Sequence, residues 1–168
     1  MRVLPLAVLL WIVALSFAIG AERSPNFVVI YCDDLGFADI DTFGSHEWET
    51  PHLNQMAKEG MRLTDFHSAA AVCSASRAAL LTGCYPQRVS ILGALGPNSK
   101  IGIHENEVLL PEILREKGYA TAIFGKWHLG DNYPMRLIDQ GFEEALTHHG
   151  GGMAHWFDRP GSSYFDPV

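Results

Sequence analysis

Residues 26–36 read Asn-Phe-Val-Val-Ile-Tyr-Cys-Asp-Asp-Leu-Gly, an apolar and largely β-branched run followed at once by two acids. That composition predicts a short strand buried on both faces, as in parallel sheets covered by helices. If Asn26–Tyr31 is such a strand, Asp33 and Asp34 lie just beyond its carboxyl end, where open α/β sheets bind their ligands.

The segments that follow extend the pattern. Thr50–Glu59 opens with Thr-Pro, an N-cap followed by proline in the first helical position, and Gly60 closes it. Met61–Phe66 alternates like a strand. Ser74–Thr82 places Ala75, Ala78, Ala79 and Leu81 or Leu80 roughly on one helical stripe, and Gly83 can end it in a left-handed cap. Cys73 then stands at a helix N-terminus. Glu107–Lys117 carries Leu109, Leu110, Ile113 and Leu114 at helical spacing before Gly118. Tyr119–Phe124 is another strand-like run, with Lys126 just after it. Helices alternating with apolar strands predict an α/β layer architecture with a largely parallel sheet.

The first 20 residues differ in kind: Arg2 gives a positive start, Leu4–Phe17 is almost wholly apolar, and Ala18 and Gly20 are small. This is the pattern of a secretory signal peptide cleaved before Ala21, so a periplasmic or extracellular protein is expected. The apolar run is short of the ~20 residues a bilayer crossing needs and no basic stop-transfer flank follows, so no stable membrane anchor is expected after cleavage. Residues 21–168 suffice for one domain burying about two-thirds of its unfolded surface. No internal repeat or low-complexity stretch divides it. The net charge of −7, from 19 acids against 12 bases, comes without a basic stripe, which argues against nucleic acid as a partner. Three cysteines, Cys32, Cys73 and Cys84, make an odd set for an oxidising compartment, so at least one is unpaired. Whether Cys32 and Cys84 pair is not legible in the sequence.

Three motifs carry chemistry. Cys73–Arg77 reads Cys-Ser-Ala-Ser-Arg and continues as Ala-Ala-Leu-Leu-Thr-Gly to Gly83. Gly125–Gly130 reads Gly-Lys-Trp-His-Leu-Gly, and Asp33–Gly36 reads Asp-Asp-Leu-Gly. Taken singly, these are a small cysteine opening a helix, a surface Lys-x-His and a loop or helix cap. Together, and in their order along the chain from Asp33 through Cys73 to Gly125, they resemble type I sulfatases, of the arylsulfatase kind in the alkaline-phosphatase-like superfamily. The first motif is that family's maturation signature, with Ala75 where proline is commoner.

The resemblance implies an alkaline-phosphatase-like sandwich with a largely parallel central sheet flanked by helices, and a sulfuric ester hydrolase acting on a sulfate ester. It implies that a formylglycine-generating maturase converts Cys73 into an aldehyde, whose hydrate offers two hydroxyls on one carbon. One attacks sulfur and the other then expels sulfate. It also implies that Asp33, Asp34 and the modified Cys73 bind a divalent metal, usually Ca2+. Arg77 would hold the hydrate, Lys126 would touch the sulfate, and His128 would take a proton as general base. A sulfate ester spreads negative charge over its non-bridging oxygens, so the attack needs the concentrated positive field that metal, Arg77 and Lys126 supply.

Other histidines, His46, His52, His67, His104, His148, His149 and His155, show no metal-ligand spacing. The stretch from His148 to Gly152 is expected to be a loop near the pocket without a catalytic task. The resemblance runs from Pro25 through Gly-Phe-Glu-Glu at Gly141–Glu144 to Tyr-Phe-Asp-Pro-Val at the end. Later family elements, a further acid and amide pair for the metal, a second lysine and the histidine that protonates the leaving group, find no match. Residues 21–168 are therefore expected to be the N-terminal part of a sulfatase catalytic domain, a fragment or truncated copy with an incomplete site. The alternatives are an inactive remnant or binding module, and a phosphate-ester hydrolase of the same superfamily.

Overall fold

The computed structural model describes residues 24–44, 48–97, 99–148 and 150–151, and the expected signal peptide lies outside them. The chain falls into two units, Met1–Gly36 and Phe37–Val168. No helix among the described residues is long and apolar enough to cross a membrane.

In the first unit, Asn26–Tyr31 forms no regular strand, contrary to expectation. Its apolar side chains are exposed, Val28 by 84% and Ile30 by 73%. β-branched composition favours a half-buried pleated surface, but backbone pairing makes the strand, and composition does not encode the partner.

In the second unit, two 3-10 turns, Phe37–Asp39 and Asp41–Phe43, precede helix α1, Pro51–Glu59. Thr50 sits at the N-cap but makes no capping bond, since its Oγ1 accepts instead from the Asp41 N–H at 3.1 Å. Pro51 at the helix start removes one donor that would otherwise need a partner. Asn54 Nδ2 adds a bond to the Asp41 carboxylate, which ties α1 to the preceding turn. The expected strand Met61–Phe66 is absent: Met61 and Phe66 are exposed and no regular pairing forms. Alternation alone does not supply a neighbouring edge.

Helix α2, Cys73–Thr82, follows the sequence reading closely. Gly83 ends it at φ 67°, donating its N–H to Ala79 O at 2.9 Å. Ser74, Ala75, Ser76 and Ala78 form its buried face, and their small side chains allow close packing. Helix α3, Leu110–Glu116, begins later than the expected Glu107. Starting there would put Pro111 beyond the first turn, where its missing N–H and its ring disrupt the helix. Instead Leu109 is the N-cap, its N–H donating to Glu112 Oε2 at 2.7 Å.

Strand β1 is Ala122–Lys126, displaced toward the carboxyl side of the expected Tyr119–Phe124. Tyr119 is taken up by the end of α3, where its N–H bonds Leu114 O at 3.1 Å. β1 pairs in parallel with β2, Glu144–His148, in a register that sets Ala122 opposite Glu144 and Lys126 opposite His148. β2 was not anticipated, and His148 is a strand terminus rather than loop. Buried Thr121 fixes the start of the pair: its Oγ1 donates to Gly141 O at 2.7 Å and its carbonyl accepts from Glu143 and Glu144. The crossover between the strands contains a 3-10 turn, Leu137–Gln140.

The core comprises Ala75 and Ala78 of α2, Val89, Ile91 and Ile103 from the following loop, Leu109, and Trp127, Leu129 and Leu137 after β1. It therefore joins the first turns of α2 to the segment leaving the carboxyl end of β1.

Candidate active site

Trp127 and Leu129, 1% and 0% exposed, anchor the backbone on either side of His128. The Trp127 indole N–H donates to Gly130 O at 2.8 Å and reaches Met135 O at 3.2 Å, while its ring meets Phe142 edge to face at 6.1 Å. The Trp127 backbone N–H continues onto His148 O at 3.1 Å, and Leu129 O accepts from Ile103 N–H at 2.7 Å. Gly102 runs so close that a Cβ there would lie 2.3 Å from Leu129 O. These contacts hold His128 at φ 57°, a left-handed conformation that a non-glycine residue keeps only when its surroundings impose it.

His128 is 5% exposed. Its Nε2 bonds Leu95 O at 2.7 Å, and since a carbonyl only accepts, Nε2 carries the hydrogen. Nδ1 is buried and, among the described residues, has no hydrogen-bond partner. Burial pushes the imidazole below its ordinary value, and the positive charges of Lys126 and Arg77 push the same way. The Leu95 bond and the Asp131 charge oppose them. The outcome is a neutral imidazole near pH 7 with one basic nitrogen.

Arg77, half-buried on α2, donates from Nη1 to Lys126 O at 2.9 Å. That bond joins the maturation-motif helix to the end of β1. It brings together three of the expected residues, Arg77, Lys126 and His128, as two cations beside a neutral base. Cys73 is the first residue of α2, half-buried and a free thiol. Cys32 and Cys84 are also free, so no disulfide joins the three cysteines. Val72 at the N-cap offers no side-chain acceptor, which leaves the first-turn amides and their partial positive charge to the Cys73 end.

Asp33 and Asp34 belong to the first unit and are exposed. Asp34 has φ 60°, a conformation that aspartate tolerates better than most residues. Adjacent carboxylates suit a hard divalent cation by donor chemistry. Among the described residues, no group of three or more His, Cys, Asp or Glu side chains is arranged to hold a metal ion. An open groove bordered by Glu112, Glu116, Tyr119 and Glu143 lies toward the amino end of β1 and contains none of the candidate residues. In parallel sheets chemistry gathers at the carboxyl end, which favours the Lys126 side.

Sequence reasoning did not single out Ser74 or Leu95, and it placed Gly151 only within an expected loop near the pocket. Leu95 N–H donates to Ser74 Oγ at 3.1 Å, and a Cβ on Gly151 would lie 3.2 Å from His128 Cε1. In the sequence Ser74 is only the start of a helix inside its motif, and Leu95 lies far from any motif, so nothing local marks either residue as a partner of His128.

The Sulfatase family model matches residues 25–166. Arylsulfatase A of Bos taurus is 45% identical over 124 residues, spanning 72% of this chain. N-acetylgalactosamine-6-sulfatase of Homo sapiens is 38% identical over 158 residues, spanning 89%. The chain spans only 24% and 28% of the lengths of those two proteins. Among solved structures, Ps i-CgsB matches with a TM-score of 0.70 and 36% identity over 72% of this chain and 27% of its own. PsFucS1 sulfatase from Pseudoalteromonas sp. matches with 0.66 and 33% over 83% and 29%. The parallel strand pair and its helices are thus a portion of the alkaline-phosphatase-like fold. By its motifs, its fold and this family match, the chain belongs to the sulfatase family.

Proposed function

We propose that this chain is the nucleophile-bearing portion of an exported sulfuric ester hydrolase that acts on a sulfate ester through a formylglycine made from Cys73. The observation that carries the reading is the bond from Arg77 to the Lys126 carbonyl beside a buried neutral His128, a base in the field of two cations. A hydrated aldehyde at position 73 supplies a nucleophilic hydroxyl together with a second one through which sulfate can later be expelled. Arg77 orients that group, and Lys126 binds a non-bridging sulfate oxygen. Both act by standing where negative charge develops, in a site whose dipoles are already arranged. His128 receives the proton at Nδ1, because Nε2 already carries one for Leu95.

By the family resemblance, Asp33 and Asp34 would hold a divalent cation such as calcium, for which adjacent carboxylates have suitable donor chemistry. A thiol is a poor ligand for so hard a cation, whereas an oxygen at position 73 is a suitable one. Calcium takes six to eight oxygens, so this set leaves positions for other donors. The apolar leader ahead of Ala21 supports export, where the maturase would act before folding closes α2 around Ser74 and Ala75.

The test is the mass of the Cys73 peptide from chain expressed with its leader in hosts carrying a formylglycine-generating maturase. The expected result is the mass decrease that accompanies conversion of thiol to aldehyde. A thiol that persists with both maturase classes removes the catalytic reading.

A further inference from the structure

Ser74 Oγ accepts from Leu95 N–H, and the carbonyl of the same Leu95 accepts from His128 Nε2–H. One residue from a loop with no motif is thus held by α2 on its amide side and holds the imidazole on its carbonyl side. Ser74 is fully buried, so its hydroxyl is shielded from bulk water. Gly151 lies against the ring, where a Cβ would stand 3.2 Å from Cε1 and 3.5 Å from Nε2. The imidazole is therefore bounded at Nε2 by Leu95, across its ring by Gly151, and at its backbone by φ 57°.

We infer that Ser74 is a positioning residue: by anchoring the Leu95 backbone at its N–H it keeps the Leu95 carbonyl in place, locks His128 in the Nε2–H tautomer and makes Nδ1 its basic nitrogen. A neutral imidazole in water exchanges between two tautomers, and only one leaves Nδ1 able to accept a proton. The bond to Leu95 O selects that one, since a carbonyl cannot pair with an unprotonated Nε2. The lock acts only if Leu95 O keeps its place. Its own carbonyl cannot ensure that, whereas the amide bond to a buried hydroxyl on a packed helix can. Ser74 touches no reacting atom in this scheme. It acts through Leu95 alone, and its catalytic meaning rests on the proposed role of His128 as base.

The test reads the tautomer itself in the complete chain labelled with 15N at histidine, near neutral pH. The wild-type spectrum is expected to show His128 as a single Nε2–H tautomer, with a coupling across the hydrogen bond to the Leu95 carbonyl. Ser74→Ala is expected to convert it to a mixture and to abolish that coupling, while Ser74→Thr, which keeps the hydroxyl, restores the single form. If Ser74→Ala loses the native amide pattern of β1 and β2, Ser74→Cys replaces it, retaining the shape with a weaker acceptor and the same expected loss. An Nδ1–H tautomer in the wild type overturns the proposal, as does an unchanged single tautomer in a folded Ser74→Ala or Ser74→Cys chain. The spectrum does not depend on sulfate hydrolysis, so this lock can fail while the sulfatase reading stands. Conversely, a persistent Cys73 thiol removes that reading and leaves the tautomer measurement intact.

Discussion

Trp127–Gly130 and Asn26–Gly36 are both apolar runs joined to residues of catalytic type, yet the structure treats them differently. Every residue from Trp127 to Gly130 is buried, and its backbone bonds reach Ile103 and His148. Along Asn26–Gly36 the side chains are exposed, except for half-buried Tyr31, and no regular strand forms. The second run has the stronger β composition, the first the stronger packing. Composition sets what a segment can tolerate, while neighbours that remove its apolar area from water set what it does.

Trp127 is the side chain that holds the buried segment most firmly. Trp127→Ala removes a buried indole and leaves two carbonyls without their donor, so it is expected to lower unfolding free energy by roughly 3–5 kcal/mol, read by urea denaturation. A loss below 1 kcal/mol would mean that the segment is not held by its core. Gly102→Ala tests the same anchorage from outside it. A methyl 2.3 Å from Leu129 O forces backbone displacement, and about 1–3 kcal/mol of destabilisation is expected in the same assay.

Acid tests the Trp127–Gly130 segment through His128. The folded pKa of His128 lies below its ordinary 6.5, so the unfolded chain binds that proton more tightly. Its contribution to stability is therefore complete above pH 6.5 and lost as pH falls through the folded value. His128→Gln, which keeps a donor for Leu95, is expected to flatten this part of the acid limb. Parallel limbs for wild type and variant would contradict a buried neutral imidazole. The smallest effect belongs to the exposed run: Ile30→Ser is expected to change stability by no more than about 0.5 kcal/mol. A large loss there would show that Asn26–Gly36 is held as firmly as Trp127–Gly130.

Helix α2 and its cap were legible because each of its signals is local. Small residues recur on one face, and Gly83 permits the left-handed turn that ends it. The motif residues were legible for a related reason, since Arg77, Lys126 and His128 each lie within a short recognisable string. Boundaries failed where two local rules competed, as at Pro111, which delays α3, and at Tyr119, which α3 takes from β1. β2 stayed hidden because Glu-Ala-Leu-Thr-His has little strand character and gains its form from register with β1.

By itself, then, the sequence determined the chemical types at the site and the helix that begins at Cys73, because side-chain identity and short-range periodicity are properties of neighbouring residues. Tertiary structure alone decided that Arg77 reaches Lys126 across 49 positions and that Leu95 links Ser74 to His128. Those bonds join groups far apart in the chain, and only the packing of α2 against the end of β1 brings their donors and acceptors within range.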